Sequence, residues 1–228
     1  MLTKIDSLLS KHLSTENIKK IKNFDVIQDN MNGYLLIKYN NKTYLLNYYN
    51  KKKYLHNRIQ IHFNGITISK TIESFDQNNY LIANKLRLYV LSLCKNSIDN
   101  LLGIGGEYYL YFPFIKANNY IGISNHKCII DDAQYNIPYS KNHLVDYNNS
   151  CTYPEIYKAE TIILNVYNIH VNIVNYIKSI DFDQLIVISC DLPKNKLLLL
   201  KNNFRIIKMR YFYNFSNLIR IIQLERKN

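Results

Sequence analysis

The chain has 228 residues, 47% of them hydrophobic, enough to bury a substantial core in one large domain or two small ones. It carries 29 Lys plus Arg against 17 Asp plus Glu, a formal charge of +12, which favours polyanionic partners because cations displace counterions from phosphates. The four cysteines, Cys94, Cys128, Cys151 and Cys190, are widely spaced with no CxxC pair, which argues against a zinc site, an iron–sulfur cluster or a disulfide framework; no metal is expected.

The first twenty or so residues place Leu2, Ile5, Leu8, Leu9 and Leu13 at helical spacing and lack the apolar run of a secretory signal. Strand patterns follow in "FDVIQD" and "GYLLIKYNNKTYLL", with a hairpin predicted at Asn40–Asn41. "NRIQIHFNGITISKTI" continues them, with Asn64–Gly65 as its turn. Residues 1–68 therefore read as a small α+β segment.

From Asn79 the period changes. Leu81, Ile82, Leu86, Tyr89, Val90 and Leu93 recur as on a helix. Beyond them the short apolar runs "IDNLLGI", "NYIGIS", "HLVDY", "ETIILNV" and "QLIVISC" alternate with helix candidates. That rhythm predicts a mainly parallel, doubly wound sheet over residues 69–228. "FRIIKMRYFYNFSNLIRIIQLERK" supplies two further strands, an antiparallel pair to end it. The longest apolar windows, such as "YYLYFPFI", are too short to span a bilayer.

Two places suggest chemistry. "LLGIGGEYYL" holds three of the six glycines, Gly103, Gly105 and Gly106. A strand, a glycine turn and then a helix would bring backbone amides close to a ligand. "VISCDLPKN" ends a buried strand on Cys190, with a helix expected after Asp191 and with Lys194 and Lys196 nearby. A thiolate held there would be a nucleophile, whereas a buried thiol would be packing.

The order of these segments resembles the S-adenosylmethionine-dependent RNA uracil-5 methyltransferases of tRNA and rRNA, from about Arg58 to Arg226. "SFDQNN" is similar to their Phe-x-Gln-x-Asn segment, placing Gln77 and Asn79 at its polar positions. "VISCDLP" is similar to the strand end that carries their nucleophile, placing Cys190 there. The resemblance implies a Rossmann-like class I methyltransferase fold. It implies S-adenosylmethionine as cofactor, held by Gln77, the glycine turn, Ser124 and Asp146. It also implies a thiolate that adds to uracil C6 so that C5 can take a methyl group, after which a base removes the C5 proton.

The pattern departs from the family in four places. Their Asp-Pro-Pro-Arg is here "NVYN", residues 165–168, and their general base falls at about Ile219, a hydrocarbon. Ser124 stands where an acid would hold the ribose, and Glu107 sits in the glycine turn where small residues are usual. These losses predict a catalytically impaired relative that keeps RNA or partner binding. The alternatives are an active enzyme using Cys190, with Asp191, Glu225 or His170 as base, and a non-catalytic stimulatory or scaffolding subunit of an RNA-processing complex.

RNA is the expected partner on either history. Lys51, Lys52 and Lys53 lie among tyrosines in "YLLNYYNKKKYLHNR", and Arg205, Lys208 and Arg210 do so in "FRIIKMRYFYNF". Cations between aromatic rings suit phosphates and stacked bases, although a solvated face would carry the same residues. The expected location is the cytoplasm. The bias toward Ile, Asn, Lys and Tyr, typical of AT-rich genomes, is also compatible with a large DNA virus and its factory or virion.

Overall fold

The computed structural model describes residues 25–30, 34–39, 42–47, 53–54, 58–71, 74, 80–95, 97–214 and 217–227. The chain divides into two compact units. The first holds a four-stranded sheet in the order β1-β2-β3-β4, formed by Asp25–Asn30, Tyr34–Tyr39, Lys42–Asn47 and Lys53–Tyr54. Tyr39 pairs with Lys42, so the chain reverses at Asn40–Asn41, as its sequence predicts. The helix expected over the first twenty residues, Gln77, Asn79, Lys51 and Lys52 all lie outside the described residues.

The second unit begins with a hairpin, β5 (Arg58–Phe63) and β6 (Ile66–Thr71), turning through Asn64 and Gly65 at φ +47° and +77°. Asn tolerates this left-handed conformation and Gly has no Cβ to oppose it, which is why that pair closes tight hairpins. Helix α1 (Tyr80–Leu93) follows. Then comes a seven-stranded sheet in the order β12-β13-β11-β10-β7-β8-β9. Strands β7 (Ser97–Gly105), β8 (Lys116–Ser124), β9 (Lys141–Leu144), β10 (Thr161–Asn165) and β11 (Gln184–Cys190) are parallel. β12 (Phe204–Asn214) and β13 (Asn217–Arg226) add the antiparallel pair. This is the Rossmann-like arrangement read from the sequence.

Burial explains the strand sequences. All five residues of β10 are buried, and so are the first six of β11, because a central parallel strand is covered on both faces. On one face Ile163, Ile186, Ile188 and Ile221 pack with α1 and with residues 108–112. On the other, Leu164, Leu185, Val187 and Ile222 pack under α3 (Val171–Ser179) and Leu200 of α4 (Lys194–Asn203). Helix α2 (Lys127–Asn136) carries the buried Asp132, which accepts Thr71 N–H on both oxygens (2.9 and 3.0 Å), the Ser74 hydroxyl and Arg58 Nη2 (2.6 Å). One carboxylate thus ties the hairpin and the residue just after it to helix α2. Burial pushes its pKa up, against the lowering effect of these donors.

One expectation fails. No α-helix follows β7: residues 106–115 form two short 3-10 turns, Tyr108–Leu110 and Phe112–Phe114. Ten residues barely allow a helical crossover between parallel strands, and Pro113 has no N–H to continue a helix. The chain crosses instead as an aromatic plug, with no solvent exposure at any residue from 108 to 112.

Candidate functional site

In a doubly wound sheet, ligands gather at the carboxyl ends of the strands, beside the point where the strand order reverses. Here that point lies between β7 and β10. The register places Gly105, Asn165 and Ile188 on one line across β7, β10 and β11. Cys190 is one pleat further on and faces the same side as Gly105. Two strand spacings of about 4.8 Å and a step of about 6.6 Å put the thiol-bearing residue about 12 Å from Gly105. The structure therefore brings Cys190 and the glycine turn to the same end and the same face of the sheet.

The turn itself is closed by its neighbours. Gly105 has φ +108°, and a Cβ there would collide with the Asn165 carbonyl. The Gly106 N–H donates to that carbonyl at 2.7 Å, and Asn165 Nδ2 donates to Glu107 Oε2 at 2.7 Å. Glu107 and Asn165 are both buried. Behind them Tyr108 lies over Gly103 and Gly122, which pair across β7 and β8; a Cβ on either would run into its ring or its Cβ. Its hydroxyl donates to Asn142 Oδ1 of β9 at 3.1 Å. Gly103 and Gly122 thus make room for an aromatic side chain of the same protein.

Ser124, at the end of β8, is fully buried, and its Oγ accepts the His126 N–H at 3.1 Å. Asp146 is exposed just past β9, where its Oδ1 caps its own turn by accepting Asn148 N–H at 2.9 Å. Both stand at the carboxyl rim, each already engaged within the chain.

Cys190 is half-buried against the core on the glycine side. The residue directly opposite it on β13 is Ile219, fully buried. Asp191 follows with φ +47°, its N–H donating to the Leu218 carbonyl (2.8 Å) and its Oδ1 accepting Leu218 N–H (2.9 Å). A non-glycine residue in this conformation costs about 1 kcal/mol or more and is held here by both bonds. Helix α4 starts at Lys194 behind Pro193, three residues after Asp191. Glu225 is six residues along β13 from Ile219, about 20 Å away, and is paired with Arg205 at the opposite end. His170 stands at the N-terminal boundary of α3 after β10, at the same end as Cys190, its side chain making no capping hydrogen bond. By contrast the Cys94 thiol, at the end of α1, donates to the Val90 carbonyl, and burial pushes its pKa up to about 12.

Of the basic residues singled out, Lys53 lies in β4 of the first unit. Lys208 and Arg210 lie on the edge strand β12, over the ring of Tyr89 at 5.7 and 4.7 Å, with Arg210 also 5.3 Å from the Phe212 ring. Phe212, Ile219 and Cys190 share one register line, so Arg210 stands on the same face as the thiol. Sequence reasoning passed over Tyr167 and Tyr213 at this rim, 90% and 72% exposed. Among 21 tyrosines, nothing in the sequence marks which ones face solvent. Among the described residues there is no cluster of three metal-ligating side chains and no helix long and apolar enough to cross a membrane.

No protein-family model and no curated protein sequence matches this chain. Solved structures do. The tRNA (uracil-54, C5)-methyltransferase of Pyrococcus abyssi, in complex with S-adenosyl-L-homocysteine, is similar over 96% of this chain and 65% of its own, with a TM-score of 0.65 and 13% identity. The fold is Rossmann-like, similar to that of this methyltransferase. Trm5b of Pyrococcus abyssi is similar over 82% of this chain and 60% of its own (TM-score 0.59, 11% identity). The M. jannaschii tRNA m1G37 methyltransferase is similar over 81% and 60% (TM-score 0.58, 11% identity). The chain spans less than two thirds of each of these proteins.

Proposed function

We propose that this chain is an RNA-binding relative of the RNA uracil-5 methyltransferases in which turnover has been lost. The observation that carries this reading is the closed glycine turn. The Gly106 amide, which such a turn would offer a ligand, is bonded to Asn165, and Glu107 and Tyr108 fill the space around it. A S-adenosyl group does not fit residues arranged in this way: a carboxyl side chain lies buried at the turn, and Ser124 is sealed from solvent. Ile219 beside Cys190 adds a second support, because a hydrocarbon cannot accept the C5 proton, and proton transfer typically contributes about 10²–10⁴-fold in rate.

RNA contact needs none of these groups. It is supported by the charge of +12 and by the cations on β12. The test is binding of a labelled RNA, without cofactor, across a salt series. Affinity should fall steeply and linearly in log–log form as phosphate contacts are screened. Affinity that does not respond to salt would remove this reading.

One observation favours an active enzyme instead: Cys190 faces the glycine-turn side at a pinned strand end, with Asp191 next to it. Under that reading, 5-fluorouridine RNA plus S-adenosylmethionine should yield a covalent adduct that Cys190→Ala abolishes. An intact protein mass unchanged after incubation would dismiss it. A scaffolding role in an RNA-processing complex is compatible with the same closed turn.

A further inference from the structure

We infer that the carboxyl rim from β12 to the β10 loop is a track for single-stranded RNA, with Tyr213 and Tyr167 as base-stacking platforms on either side of Cys190. The inference rests on the RNA-binding reading above and specifies where the RNA lies and in what form.

Topology makes the juxtaposition. β12 runs antiparallel to β13 and β13 antiparallel to β11, so the end of β12 lies at the same rim as the ends of β10 and β11. Tyr213 pairs with Leu218, the residue bonded to Asp191, and so stands just beyond the Cys190 line. Tyr167 sits two residues past the end of β10, next to β11 on its other side. From β12 to β10 is three strand spacings, about 14 Å. That accommodates about four nucleotides at about 3.4 Å per stacked step.

Charge decides which tyrosines matter. Residues 190–228 hold nine Lys or Arg and two Asp or Glu, +7 of the chain's +12 in 39 residues. Within 204–226 the only acid is Glu225, which is paired with Arg205 at the far end. Near the rim, Arg220 is 5.9 Å from the ring of Tyr211, which points to the same side of β12 as Tyr213. Tyr157 makes the contrast. It is 77% exposed, but it precedes β10 at the opposite end, and its hydroxyl donates to Glu155 at 3.0 Å. A carboxylate there repels phosphate, whereas Tyr213 shares its side of β12 with Tyr211 and that ring's neighbour Arg220. Exposed rings between cations bind unpaired bases with little sequence preference, because every base has a π-face. A duplex keeps its bases stacked inside and offers such rings nothing.

The experiment is fluorescence anisotropy of a 12-nucleotide RNA at low salt, single-stranded or annealed to its complement, with the full chain. We expect the single strand to bind more tightly than the duplex. Tyr167→Ala and Tyr213→Ala should each weaken it about tenfold, and Tyr157→Ala should leave it unchanged, thermal melts confirming that all variants fold. If RNA binds but the rim variants match the wild type, or if duplex and single strand bind alike, the track is wrong while RNA binding stands. If the wild type binds no RNA at all, the underlying reading fails with it.

Discussion

The two halves of the carboxyl rim differ sharply. At β7 and β8 the chain turns inward: Glu107 bonds to Asn165, Tyr108 lies over Gly103 and Gly122, and residues 108–112 have no exposure. At β10, β11 and β12 it turns outward, leaving Tyr167 and Tyr213 in solvent and Cys190 half-covered between them. One sheet thus carries a sealed end and an open end side by side. The difference teaches that a sheet can keep its topology while the loops at its rim reassign the space. The contacts that close the turn are short in space and join residues far apart in the chain.

The sharpest way to break the sealed half is Tyr108→Ala. Removing a fully buried ring wedged against two glycines should cost about 4 kcal/mol, read as a lower denaturant midpoint. A loss below about 1 kcal/mol would mean that the plug is loosely held. A smaller effect is expected from Asn165→Asp, which sets a carboxylate against Glu107 across a 2.7 Å contact. It should destabilise by about 2–3 kcal/mol at pH 8 and by less at pH 5, where one of the two takes up a proton. Glu107→Gln in the same chain should restore most of the loss. A deficit that Glu107→Gln leaves unchanged would show that the two groups are not in contact. The smallest effect belongs to the open half. Tyr167→Ala and Tyr213→Ala should each change stability by less than about 0.5 kcal/mol in the same denaturation series, since both rings stand in solvent. A larger loss would place them in the packing.

Much of the fold was legible because each strand advertises its surroundings. The unbroken apolar runs of β10 and β11 require cover on both faces, and Asn64–Gly65 has few conformations open to it besides a tight hairpin turn. The helix expected after the glycine turn is absent for a physical reason. A strand followed by Gly-x-Gly-Gly usually feeds a helix, and local pattern does not reveal that Tyr108 will fold back over Gly103. That contact depends on Gly122 in the neighbouring strand, which supplies the other half of the space. The pairing of Glu107 with Asn165, 58 residues apart, was likewise visible only as two separate departures from a family pattern. In three dimensions they are a single hydrogen bond. Two acids facing each other there would repel, so an amide at 165 is what allows a carboxylate at 107.

The most direct test is calorimetric titration of the folded wild type with S-adenosylmethionine up to millimolar concentration. A turn closed by Gly106, Glu107, Tyr108 and Asn165 predicts no saturable heat. A stoichiometric isotherm at micromolar ligand would contradict the account, because it would show that the space assigned to Tyr108 and Glu107 is open to a cofactor after all.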